Sequence, residues 1–334
     1  MWMNDLVSGI ILIFLFLFSR INRQDNYRNS LSIYNTTLIK GLGSILVVFC
    51  HLSHFYNGVF LLPSLYYFGY ASVGLFFFFS GFGLMKQYLT KKDYQIGFLK
   101  KRLGKILIPY AVFNVIYWIY YSLTGTVKSI GDICLGFVNG DPLVRYSWYI
   151  IEIIVFYVFF YLFMFIDKRR KKVMITCNVV LYFCLMFIFF RFNYSSFWYD
   201  STHLYLLGIV WASYEDSVLD FFYKYRHIIL VFSIGVFAAT FGKEKLFFVF
   251  EIAYLLLLIC FFVVFEMKNR LLYEIGKISM EIYLIHGLII QLCRTYICFD
   301  EGPIDIACIV LLTILSSYMM RVFLNFVFKN HGRQ

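Results

Sequence analysis

Eleven stretches of this 334-residue chain are apolar over most of the length that a membrane-crossing helix requires. A bilayer core takes roughly 20 apolar residues per helix. The runs lie near 5–19, 38–57, 66–85, 106–123, 147–166, 173–190, 203–213, 228–241, 246–265, 275–297 and 304–328, and those at 203–213 and 228–241 are short. The chain is 61% hydrophobic and 15% charged, with 41 Phe, 28 Tyr and 5 Trp. A soluble domain carries about 45–50% apolar and about 25% charged residues. An ordinary soluble enzyme, a disordered chain and a secreted disulfide scaffold are thereby excluded. The expectation is an all-α fold, a polytopic transmembrane bundle of about 10–11 helices, and only four Pro agree with it. The first run follows Asp5, has no basic segment before it and no small-residue cleavage site after it, so it reads as a helix of the bundle.

The net charge of +11 would point to nucleic acid in a soluble protein. Here the basic residues follow topology instead. Alternate loops carry 23 of the 30 Lys and Arg, against five in the opposite loops. By the positive-inside rule this predicts an odd number of spans with the C-terminus cytoplasmic, in a bacterial-type inner membrane, and no nucleic-acid partner. Eight Cys are scattered, with no CxxC and no Cys/His ligand spacing, so they read as small apolar residues without a disulfide framework. No metal site is expected.

Ionisable side chains inside apolar runs are costly and carry a functional hypothesis by default. Lys40 and His51 are eleven residues apart, within about 20° of one helical stripe and about 16 Å apart in depth. That spacing puts Lys40 at the cytoplasmic surface and His51 past the midplane, with His54 beyond it. A snorkelling Lys and a His bonded to a neighbouring hydroxyl would produce the same pattern. Glu152 enters from the outer side, about 7 Å deep in its run by helical rise. It reaches a depth similar to that of His51, and a carboxylate can orient an imidazole as a general base. Ser279, Tyr283 and His286 follow i, i+4, i+7 spacing, a polar face that must look into the bundle. Ser80 and Gly81 close the third run with small residues suited to close packing or to a ligand. Lys101, Arg102 and Lys105 lie one turn apart beside the membrane, where they can hold phosphates or simply enforce orientation.

Taken in order, these segments resemble the integral membrane acyltransferase-3 family over about residues 36–328. The family's basic residue, ten intervening residues and His are matched by Lys40 and His51, with Lys where Arg is usual. Its FF-x-x-SGF pattern is similar to Phe78-Phe79-Ser80-Gly81-Phe82, and its basic stretch ending in Pro to Lys100–Pro109. The aromatic helix is matched by Trp148, Tyr149 and Tyr157, and the Ile-Ser-x-x-x-Tyr-Leu-x-His motif by Ile278 through His286. The division that follows is an extra N-terminal helix and basic loop (1–35), the acyltransferase-like domain (36–328) and a short tail (329–334).

The resemblance implies an O-acetyltransferase taking acetyl-CoA as donor and a cell-surface or lipid-linked glycan as acceptor. His51 would be general base or acyl acceptor, with Glu152 as its orienter. Lys101, Arg102 and Lys105 would hold donor phosphates, with Ser80 and Lys40 beside the donor. His54, Trp148, Tyr149, Tyr283 and His286 would line the substrate path. The exposed aromatic faces suit the lipid bilayer or a second protomer equally well. A transporter or flippase of lipid-linked sugars is the rival class, because buried His, Glu and Tyr also suit a transport pathway.

Overall fold

The structure, a computed structural model, describes residues 1–126, 128–166, 170–297 and 302–329. Lys168, Arg169 and Arg333 of the charge pattern, and all of the tail beyond residue 329, lie outside the described residues. In chain order come α1 (Trp2–Phe16), β1 (Arg20–Arg23), α2 (Ile33–Leu52), α3 (Leu61–Thr90) and α4 (Gly104–Leu123). The elements α5 (Ile130–Val138), α6 (Trp148–Phe163), α7 (Lys171–Arg191), α8 (His203–Ser213) and α9 (Glu215–Thr240) follow. The last are α10 (Phe247–Val264), β2 (Phe265–Lys268), α11 (Arg270–Lys277), α12 (Ser279–Leu292) and α13 (Pro303–Lys329). The chain is an all-α, polytopic membrane protein.

Among the described residues, seven helical stretches are long and apolar enough to cross a membrane, and α11 with α12 forms an eighth, bent by 75°. The apolar helices α1 and α6 are shorter. The run at 228–241 is the distal part of α9, which has non-helical backbone at Tyr225. The run at 203–213 is α8, whose 11 residues rise only about 16 Å. Trp198, just before it, packs on Phe189 near one end of α7, and the Ser213 carbonyl accepts from Lys171 at the other end, so the segment 198–213 runs alongside nearly the whole of α7. Two short strands accompany the helices: β1 pairs antiparallel with β2, Arg20 opposite Lys268 and Arg23 opposite Phe265.

The chain forms two compact units. Unit 1 comprises residues 1–73, 222–244 and 253–334, and unit 2 comprises 74–221 and 245–252.

In unit 1 the Asp5 carboxylate accepts N–H groups of Val59, Phe60 and Leu62, each at 2.8 Å. It thereby satisfies orphan donors at the start of α3, as an N-cap side chain would. Asn269 caps α11 by accepting the Leu272 N–H, and its amide donates to the Leu15 carbonyl and Ser19 Oγ. Helices α2 and α11 meet backbone to backbone. A Cβ at Gly41 would land on the Leu272 carbonyl, and one at Gly276 on the Thr37 carbonyl. Small residues permit such an approach where lipid supplies no hydrophobic drive for helix association.

Arg321 of α13 reaches Glu281 of α12 at 2.9 Å, with Glu281 fully buried and the Arg321 side chain 45% exposed. Removing one partner of a buried pair strands the other. Arg321→Ala should therefore cost about 2 kcal/mol, less than a fully buried pair because Arg321 already meets solvent. Adding Glu281→Gln should recover part of the loss. Thermal unfolding of the detergent-solubilised variants checks both, and an unchanged midpoint for Arg321→Ala would refute it.

In unit 2, α3 and α8 cross at Gly81 and Gly208. A Cβ at Gly81 would meet the Tyr205 carbonyl, and one at Gly208 the Phe78 carbonyl. Gly81 thus serves helix packing, and Phe156 stacks on Tyr205 at 4.1 Å beside this crossing.

Candidate functional site

Unit 1 gathers His51, His54 and His286. Ser32 caps α2 by accepting the Asn35 N–H, and the helix then buries most of its length before presenting His51 in its last turn. His286 is carried by α12, whose face from Glu281 to Ile290 is buried throughout. The two imidazoles stack with centroids 5.0 Å apart and planes 25° apart. His54 lies 6.1 Å from His51 and edge-on to Tyr66 at 5.4 Å. Tyr283 is buried, its ring 5.8 Å from that of His286.

His286 Nδ1 faces the Ile282 carbonyl at 3.2 Å. A carbonyl only accepts, so Nδ1 carries the hydrogen there and a neutral ring keeps its lone pair on Nε2. The i, i+7 polar face of the sequence therefore contributes two of its three members, Tyr283 and His286, to the group around His51. Lys40 is half-buried on the same helix, eleven residues before His51. Cys50, His51 and His54 also offer three donor atoms within 4.8 Å of one another. Contrary to the expectation that the sequence holds no Cys/His ligand spacing, Cys50-His51-x-x-His54 at the end of α2 converges through the last turn.

Unit 2 gathers a second set. Ser80 Oγ and the Tyr149 hydroxyl lie 3.2 Å apart, and Ser80 also bonds Tyr157. Glu152, one turn along α6 from Tyr149, is buried and has no hydrogen-bond partner for either oxygen among the described residues. The Tyr205 hydroxyl is in the same condition. Trp148 packs among Phe77, Phe197 and Trp198. The basic stretch sits on a π-helical turn, Leu99–Leu103, that leads into α4. Arg102 is half-buried and its Nε donates to the Tyr94 hydroxyl at 3.0 Å. Burial pushes the Tyr94 phenol up from its usual value, which keeps it a neutral acceptor for the guanidinium. Lys101 and Lys105 are exposed. Arg102 is thus distinguished from its neighbours by a fixed position. His51 belongs to unit 1 and Glu152 to unit 2.

A buried group in unit 2 was not singled out from the sequence. Ser201 donates to Glu251 Oε1 at 2.5 Å, and His203 Nε2 is 3.8 Å from Oε2. The available signal was Glu251 itself, a lone carboxylate in the apolar run 246–265. Gly74 packs against it so closely that a Cβ there would lie 2.7 Å from Oε1.

Compared with known protein families, residues 33–322 match the model of an acyltransferase domain. No curated protein matches the chain, and no solved structure does.

Proposed function

The chain belongs to this family of membrane acyltransferases, and we propose that it moves an acetyl group from acetyl-CoA to a hydroxyl of a cell-surface or lipid-linked glycan. The observation that carries the reading is the His51–His286 pair, two imidazoles stacked at 5.0 Å on apolar helices. In this reading His51 takes the proton of the sugar hydroxyl as its oxygen attacks the thioester carbonyl. The carbon–sulfur bond breaks, and the departing thiolate recovers the proton from His51. His286, held by the Ile282 carbonyl, fixes the plane against which His51 lies. Tyr283 and His54 border the acceptor.

On the donor side Arg102 grips a phosphate, with Lys101 and Lys105 adding charge at the cytoplasmic mouth. Ser80 stands beside the donor and Tyr149 along the substrate path, both in unit 2. The exposed side chains of Lys101 and Lys105 also satisfy the positive-inside rule, and that rule supports a cytoplasmic donor.

The direct test incubates purified protein in nanodiscs with labelled acetyl-CoA and envelope glycan, then follows label into the glycan by mass spectrometry. Acetyl-ester mass shifts are expected. Movement of lipid-linked sugar without consumption of acetyl-CoA would favour the transporter instead.

Arg102 separates chemistry from topology. Arg102→Lys preserves the charge and therefore the orientation signal, but replaces a planar fork with a point charge. The apparent KM for acetyl-CoA should rise by an amount worth about 1–2 kcal/mol, one charge-assisted hydrogen bond, with the acceptor KM unchanged. Steady-state kinetics in nanodiscs measures both, and an unaltered donor KM would leave Arg102 with topology alone.

A further inference from the structure

In unit 1, at the opposite end of α2 from His51, lies an open cleft of about 490 Å³. Its charged lining residues are Arg20 of β1, Lys268 and Glu266 of β2, and Arg270 at the start of α11. Three cations face one carboxylate. Glu266 lies 3.5 Å from Lys268, which leaves Arg20 and Arg270 without an ion-pair partner among the described residues.

The strand register makes this arrangement costly in an empty protein. Arg20 stands directly opposite Lys268 in the two-stranded ladder. Like charges at opposed positions of neighbouring strands destabilise the pairing. Arg270 adds a third positive charge two residues further on. A ligand of opposite charge would turn the same repulsion into attraction.

The remaining geometry agrees. Ser32 and Asn269, the N-caps of α2 and α11, also line the cleft, so two helix N-termini bring their partial positive charge to it. Two guanidinium groups offer planar forks matched to tetrahedral oxyanions.

We propose that this cleft is a binding site for a phosphate group, distinct from the acyl-transfer residues. The phosphate arrives either on a membrane lipid headgroup or on a free phosphate compound. The exposed Phe18 at the rim of the cleft would meet acyl chains in the first case. The site does not depend on the acyltransferase reading, because its ligand is held whether or not acetyl moves.

The test uses the full chain, wild type against Arg20→Gln/Arg270→Gln and Arg20→Lys/Arg270→Lys. In neutral detergent at low salt, calorimetric titration with inorganic pyrophosphate reads the free-phosphate source. Native mass spectrometry from nanodiscs of phosphatidylglycerol or of phosphatidylcholine, counting retained lipids, reads the headgroup source. The wild type should bind in at least one arm, the Gln pair at least tenfold more weakly, and the Lys pair in between. Pyrophosphate or phosphatidylglycerol should raise the thermal midpoint of the wild type and not that of the Gln pair. Both arginines are surface residues, so a normal gel-filtration profile is expected for every variant. Absence of binding in both arms, or equal binding by wild type and the Gln pair, would overturn the proposal.

Discussion

Replacing His51 by Ala should abolish acyl transfer while the protein still inserts and elutes as a folded species. A positioned general base contributes about 10²–10⁴ in rate, so turnover of acetyl-CoA with acceptor should fall by at least about a hundredfold. His51 is half-buried in the last turn of α2, and its ring is not part of the closely packed α2–α11 contact. The loss should therefore appear in kcat and leave the thermal midpoint nearly unchanged. His286→Ala provides the contrast, because His286 is fully buried. That variant should lose both stability and rate. Assay of purified His51→Ala in nanodiscs decides the matter, and an active enzyme would remove His51 from the chemistry.

The largest structural effect is expected at Gly276. A valine there would drive its Cβ into the Thr37 carbonyl of α2, and backbone cannot rotate away as a side chain can. Overpacking typically costs about 1–3 kcal/mol, and a clash with main chain belongs at or above the upper end. Gly41→Val attacks the same contact from the other helix through the Leu272 carbonyl. The double variant should lose less than the sum, since one separation of α2 from α11 relieves both clashes. Thermal unfolding followed by size-exclusion fluorescence measures each. A wild-type midpoint for Gly276→Val would mean that the two helices part without cost.

Much of the site was legible because the membrane makes charge conspicuous. Lys40, His51 and Glu152 stand out in apolar runs, and their spacing along a helix follows from 3.6 residues per turn. The Ser279, Tyr283, His286 face was legible for the same reason. Its stacking against His51 was not, because the relative rotation of α2 and α12 depends on contacts between helices. The roles of Gly41 and Gly276 were hidden similarly, since each small residue acquires meaning only from the carbonyl opposite it. Four-residue strands such as Arg20–Arg23 and Phe265–Lys268 are too brief to show a period. Nothing in the spacing of any residue identifies an acceptor.

The pairing of β1 with β2 has a consequence for biosynthesis. Arg23 leaves the ribosome about 240 residues before its partner Phe265. At translation rates of about 5–20 residues per second, that interval is on the order of 10–50 s. Throughout it, α1 has its Asp5 clasp on the start of α3, but the strand that follows has an unpaired edge. The cap that Asn269 holds on Leu15 and Ser19 arrives equally late. Membrane insertion of the first helices therefore precedes their final fastening, and a nascent chain stopped before β2 should remain open to proteolysis between α1 and α2. The late fastening makes the emergence of β2 and Asn269 the step that closes this part of the molecule.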